Sequence, residues 1–168
     1  MERLHAYWRM EYLEAPRLPE SQSPFRDLIE SGDDRAALIV DRTRHCCLML
    51  NRYPYNAGHL LILPLREVPD LPDLNTGERA DFMEALVRGE DLLRRAIRPD
   101  GFNIGINIGK SAGAGLPRHL HAHIVPRWTG DSNFMPVVGG TSVLPISLDT
   151  LWERLHKAAR ELTPSSDA

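Results

Sequence analysis

Hydrophobic and polar positions along the chain separate short strands from two long helices. Ala37 to Asp41, Cys46 to Asn51 and His59 to Pro64 are brief apolar, branch-rich runs divided by turn-formers such as Asn56-Ala57-Gly58. They predict strands of one antiparallel sheet in meander order. From Asn75 the period becomes helical: Phe82, Leu86, Leu93 and Ile97 recur on one side, Asn75 with Glu78 has the form of a capping box, and Pro99-Asp100-Gly101 ends the run. Phe102 to Ile108 then alternates, with Ile104, Ile106 and Ile108 expected on the core side and Asn103, Gly105 and Asn107 on the polar side. A second alternating strand is expected over His119 to Val125, after a glycine-rich loop from Gly109 to Gly115. Ser147 caps a final helix whose Leu148, Leu151, Trp152, Leu155, Ala159 and Leu162 form one stripe. Near the start, Ser23-Pro24 followed by Phe25, Leu28, Ile29 and Gly32 reads as a short helix with an N-cap, a first-turn proline and a glycine stop. Residues 1–22 contain Tyr7, Trp8 and Tyr12 without a period and are expected to form an arm on a single domain over 23–162, with 163–168 a flexible tail.

Composition narrows the class. A chain of 168 residues suits one domain, and 42% hydrophobic with 26% charged residues excludes a disordered or fibrous protein. The longest apolar runs, such as Leu60-Leu61-Ile62-Leu63, are too short to span a bilayer. The first residues include Glu2, Arg3 and His5 and no apolar stretch of the secretory type, so a cytoplasmic location is expected. Cys46 and Cys47 are adjacent in an apolar run and read as buried thiols rather than a disulfide framework. A net charge of −3 gives no basic footprint for nucleic acid. Any anionic substrate must be held by local groups.

The candidate chemistry lies in three of the seven histidines, His119, His121 and His123. A period of two puts their rings on one strand face, with Leu120, Ala122 and Ile124 toward the core. One histidine alone is usually a satisfied core or surface residue. Three in register have little structural use and two chemical ones. As metal ligands they would leave an open catalytic position, although alternate Cα atoms about 6.6–6.8 Å apart make a third ring strain to reach the same ion. Alternatively the middle ring attacks phosphorus, its other nitrogen held by a hydrogen bond that fixes the tautomer, while the flanking rings position it and handle protons. The second use also accounts for the neighbours. Phosphoryl chemistry needs donors aimed at non-bridging oxygens, and the loop with Lys110, Ser111, Gly113, Ala114 and Gly115 can offer backbone N–H groups, with Asn107 before it and Arg127 after the triad. Gly105 to Ser111 imitates a P-loop but has three residues between its glycines where four are required, and no helix follows. Trp128 could stack on a base or pack on the sheet edge.

The stretch His119-Leu120-His121-Ala122-His123-Ile124-Val125 resembles the signature of the histidine triad family, His-φ-His-φ-His-φ-φ with φ apolar. The likeness extends to Trp8-Arg9-Met10, to Asn51 through Gly58-His59-Leu60 to Pro64, and to Asn107-x-Gly109. Pro126-Arg127-Trp128, Gly139-Gly140 and Val143-Leu144-Pro145 resemble the bacterial branch that contains diadenosine tetraphosphate phosphorylases. The resemblance implies an α+β, HIT-like fold: a mainly antiparallel five-stranded sheet with one long helix packed on it, a C-terminal helix and a homodimeric assembly. It implies that His121 takes up a nucleoside monophosphate with His119 and His123 in support. Asn107 and the loop would then meet the phosphate, Asn51 the ribose, and Met49 and Leu50 the base. The activity implied is adenylyl transfer to His121 followed by release to phosphate or water, with a dinucleoside polyphosphate as the leading substrate.

Two departures bear on this. Relatives that carry Cys-Pro-Phe-Cys hold a structural zinc there, whereas this chain reads Ser23-Pro24-Phe25-Arg26, so no zinc is expected even though His59 and His119 remain. No cofactor is expected beyond magnesium brought in by the substrate. Phosphorylase-like members tend to have Gly-Ser where this chain has Ala114-Gly115, which bears on phosphorolysis. An adenosine phosphoramidate hydrolase would use the same residues; a metal-dependent hydrolase and a non-catalytic nucleotide-binding protein are the other readings.

Overall fold

A computed structural model describes residues 23–131 and 146–162. The arm over 1–22 with Trp8-Arg9-Met10, the Gly139-Gly140 and Val143-Leu144-Pro145 motifs and the tail over 163–168 lie outside them. In chain order the elements are α1 (Pro24–Glu30), β1 (Ile39–Arg42), β2 (Cys46–Leu50), β3 (Leu60–Pro64), α2 (Thr76–Ile97), β4 (Gly101–Ile106), β5 (Ala122–Arg127) and α3 (Leu148–Leu162). The strands form a five-stranded sheet in the order β1-β2-β3-β5-β4, every pair antiparallel. The α+β architecture that the family resemblance implies is therefore present, and no described helix is long and apolar enough to cross a membrane.

Local signals explain the helices. Asn75 Oδ1 accepts from the Glu78 N–H at 2.9 Å and Glu78 Oε2 accepts from the Asn75 N–H at 2.8 Å, which closes the capping box of α2. Glu78 is also gripped by Arg66, whose guanidinium holds the carboxyl down at about 2. Ser147 Oγ accepts from the Thr150 N–H at 3.2 Å at the start of α3. Ser23 precedes α1 as expected but makes no side-chain capping bond, and Gly32 takes a left-handed φ of 75° just beyond the helix.

Helix α2 packs across β2, β3 and β5. Gly89 permits the approach, because a Cβ there would lie 2.8 Å from Ile124 Cδ1 and 3.3 Å from Ile62 Cδ1. Leu48, Ile62, Ile124, Leu92 and Leu93 are wholly enclosed in this layer. Cys46 and Cys47 are buried in β2 as free thiols, their pKa pushed up to about 12 by burial. On the outer edge of β1, Trp152 Nε1–H donates to Ile39 O at 2.8 Å and His156 Nδ1–H to Val40 O at 3.2 Å. These two side chains of α3 block that edge against further pairing.

The other edge differs from expectation. Phe102 to Ile108 does not present one continuous core face: Ile104 is 48% and Ile108 39% exposed. β4 is the edge strand beyond the reach of α2, so Ile104 has no covering layer, and Ile108 has left the ladder, which ends at Ile106. The strand expected over His119 to Val125 pairs only from Ala122, because His119 N–H turns back to Leu116 O at 3.2 Å and Leu120 N–H reaches Val68 O at 2.6 Å.

Candidate active site

The register of the sheet decides which side chains meet. Met49 pairs with Leu61, Leu61 with His123 and His123 with Gly105, which puts these four on one face. Leu50, Leu60, Ile124 and Ile104 form the neighbouring row on the opposite, α2-facing side. Of the two residues expected at the base, Met49 therefore shares the histidine face, 3% exposed, while Leu50 belongs to the core under α2. Sequence alone could not separate them, since adjacent strand residues exchange faces with a one-residue change of register.

The histidine rings form a row. His121 and His123 meet edge to face at 5.0 Å between centroids, His123 and His59 lie tilted to one another at 5.2 Å, and α1 sets Phe25 edge-on to His121 at 5.3 Å and to His119 at 5.8 Å. The hydrogen bonds fix where each ring carries its hydrogen. His121 Nδ1–H donates to His119 O at 2.8 Å, which leaves Nε2 with a lone pair. His119 Nε2–H donates to Pro64 O at 2.8 Å, and its Nδ1 is buried without a partner among the described residues. His59 Nδ1 accepts from the Tyr55 N–H at 3.1 Å, so its hydrogen is on Nε2, which donates to His123 Nδ1 at 3.0 Å. His123 must then carry its hydrogen on Nε2. A bare nitrogen on His121 thus stands beside a ring whose N–H is set for donation.

Burial keeps the first two rings neutral. Desolvation is the main cause lowering the pKa of both His121 and His119 below 6.5, only partly opposed by their bonds to backbone carbonyls. On the β4 side the space is open, because a Cβ added to Gly105, directly across from His123, would meet nothing within 4 Å.

The remaining expected residues divide. Asn107 reaches the loop: its Nδ2 would lie 3.9 Å from a Cβ on Gly113. Gly109 and Gly113 take φ values of 78° and 88°, a conformation that glycine allows without strain. The loop's Gly113 and Ala114 N–H groups bond within it, to Lys110 O at 3.0 Å and Gly109 O at 3.3 Å, and Gly115 is exposed. Asn51 sits by the row, its Nδ2 3.4 Å from His59 Nδ1 and its Oδ1 accepting from the Tyr53 N–H at 2.9 Å. Arg127 does not join the loop: it grips Asp131 at 2.6 and 2.7 Å and Asn103 Oδ1 at 2.8 Å. Trp128 is half-buried and gives its backbone N–H to Asp131 at 3.1 Å. Phe25, Tyr55, Asn56 and Asp131 join the site through long-range packing that no local spacing marks, whereas His59 lies in the Gly58-His59-Leu60 stretch that resembles the family.

His59 is bonded to His123 rather than set beside His119, and Arg26, at one of the two positions where zinc-binding relatives have cysteine, lies 3.7 Å from Glu67.

A triad on one face, ordered by backbone carbonyls, with an asparagine and a glycine loop at the end of the adjoining strand, agrees with the family signature, and the HIT domain model matches residues 34–130. The chain belongs to the histidine triad (HIT) family. This HIT protein is 42% identical to the AP-4-A phosphorylase of Mycobacterium tuberculosis over 152 residues, 86% of this chain and 77% of the relative. It is 34% identical over 93 residues to the asymmetrical bis(5'-nucleosyl)-tetraphosphatase of Schizosaccharomyces pombe, 55% of this chain and 50% of that one. Among solved structures, a zinc-bound histidine triad family protein from Mycobacterium smegmatis superposes with a TM-score of 0.67 at 24% identity, over 82% of this chain and 93% of the other. That likeness shows the HIT fold.

Proposed function

We propose that this HIT protein is a nucleotidyl transferase or hydrolase that cleaves an adenosine dinucleoside polyphosphate through an adenylyl–His121 intermediate. The observation that carries this reading is the bond from His121 Nδ1–H to His119 O at 2.8 Å, which leaves a neutral, lone-pair Nε2 next to His123. In the first step that lone pair forms a bond to the α-phosphorus and the bond from phosphorus to the bridging oxygen breaks. The oxygen keeps the electron pair, and the His123 Nε2–H donates a hydrogen bond to it that stabilises the charge it gains. Positive charge on the His121 ring is stabilised by the His119 carbonyl, and Asn107 with the Gly109–Gly115 loop meets the non-bridging oxygens. In the second step an oxygen of inorganic phosphate or water bonds to phosphorus, the phosphorus–nitrogen bond breaks and its electrons return to Nε2. The acceptor's proton is released to solvent while His123 keeps its own, restoring the start.

Substrate class is supported by the relatives' names, AP-4-A phosphorylase and bis(5'-nucleosyl)-tetraphosphatase. Met49 is the base-side candidate on the correct face and Asn51 the ribose-side one. We read the chain as free of structural zinc, since a cation at Arg26 and the pairing of His59 with His123 leave a donor set unsuited to that ion. We also read it as cytoplasmic and homodimeric; the position of β4 at the end of the sheet supports pairing with a second copy along that edge. Turnover of diadenosine tetraphosphate with and without phosphate, set against an adenosine phosphoramidate, tests the function. The dinucleotide should be preferred, ADP should appear among the products only with phosphate if phosphorolysis operates, and a chelator acting before magnesium is restored should leave no lasting loss. Preference for the phosphoramidate would transfer the reading to amine release. Metal analysis and light scattering test the zinc and dimer readings.

A further inference from the structure

Asp131, just beyond β5, gathers more donors than a surface ion pair needs. It accepts from Arg127 Nε at 2.6 Å and Nη2 at 2.7 Å, from Asn56 Nδ2 at 2.9 Å and from the Trp128 N–H at 3.1 Å. Its side chain is only 11% exposed, and Arg127 foremost holds the carboxyl down at about 2. Asn56 also donates to Pro126 O at 3.1 Å, so one amide ties the 52–58 loop to the end of β5. That loop delivers Tyr55, whose N–H meets His59 Nδ1 at 3.1 Å and whose ring lies 4.6 Å from His59 and stacks on His123 at 5.9 Å.

The two linked rings have two concerted arrangements. With the Tyr55 N–H in place, hydrogen sits on Nε2 of both His59 and His123. Without it the Asn51 amide nitrogen, 3.4 Å away, still faces His59 Nδ1; once that amide turns, His59 can carry hydrogen on Nδ1, His123 donates from Nδ1, and the His123 Nε2 has no hydrogen to offer. We propose that Asp131 is a positioning residue: by anchoring Asn56 it holds the loop that sets the tautomers of His59 and His123, and Arg127 orients this carboxylate instead of a substrate phosphate. The consequence for turnover rests on the reading of His121 as nucleophile; the consequence for the tautomers does not.

The test combines long-range proton–nitrogen NMR of the imidazoles in the full chain with kinetics on diadenosine tetraphosphate. In Asp131→Ala and in Asn56→Ala, His59 and His123 should show mixed tautomers while His121 keeps its Nδ1–H pattern. kcat should fall about tenfold with KM altered less than about threefold, the signature of a hydrogen bond lost in the transition state rather than of lost binding. Asp131→Asn, which retains an oxygen for Asn56, should keep the native tautomers. Arg127→Met, which leaves the carboxylate in place, should affect kcat less than Asp131→Ala does. Should Asp131→Ala not fold, Asn56→Ala breaks the same tie from the loop side. Native tautomers in the folded alanine variants would overturn the proposal whatever their activity, as would an Arg127→Met variant whose KM rises more than about tenfold. Failure of the His121 reading is separate: it would appear as turnover by His121→Ala with the tautomer shifts still present.

Discussion

The two ends of the histidine row are held by different means. His119 and His121 lean on backbone: each gives its ring hydrogen to a carbonyl, of Pro64 and of His119 itself, and each is buried, with Phe25 against its edge. His59 and His123 lean on each other, and their arrangement depends on the Tyr55 N–H in a loop tied down by Asn56 and Asp131. A carbonyl can only accept, so the first end has its tautomers decided by the fold. The second end is a pair that could invert, and its state must be imposed from outside. On the proposed mechanism the nucleophile belongs to the half held by backbone, and hydrogen-bond donation to the leaving oxygen belongs to the half that a loop controls.

That contrast can be broken in graded ways. The largest effect is expected for His123→Phe, which keeps the ring stack but removes the donor: kcat should fall about 10²–10³-fold in steady-state assays, with Tm lowered because the buried His59 N–H loses its acceptor. Lowering the pH attacks the other end. His121 protonates through a pKa below 6.5, so kcat/KM should be flat above 6.5 and fall about tenfold per unit once that lower value is passed, in a pH–rate profile. Stability follows the same sign. Both depressed rings protonate more readily in the unfolded chain, so their contribution is full above 6.5 and declines as pH falls below it. His119→Leu should weaken that pH dependence and cost about 1 kcal/mol at neutral pH through the unsatisfied Pro64 carbonyl, measured by urea unfolding. The smallest effect is expected for Phe25→Ala, where loss of edge contacts worth about 0.5–1.5 kcal/mol should reduce kcat by less than about tenfold.

How far these features could be read in advance follows from their range along the chain. The capping box at Asn75 and Glu78 and the strands around Leu48 and Ile62 are local, and the pattern locates them. The grouping of the triad follows from a period of two even though pairing begins only at Ala122. What the pattern misses is set by distant partners. Ile104 alternates correctly but lies on an edge without a covering helix. Leu50 differs from Met49 only through register. Arg127 has the charge to meet phosphate, yet Asp131 captures it four residues on. The tautomer of His123 is decided 68 positions away in sequence, by a backbone N–H at Tyr55 that no composition or spacing reveals.

The central claim is that the lone pair of His121 Nε2 bonds to phosphorus. Rapid quench of native protein with diadenosine tetraphosphate labelled in the adenylyl group measures it directly. The account predicts an acid-labile adenylyl–protein adduct that forms and decays at rates consistent with turnover and is absent in His121→Ala. Turnover with no adduct on any histidine, or an adduct that persists in His121→Ala, would contradict it.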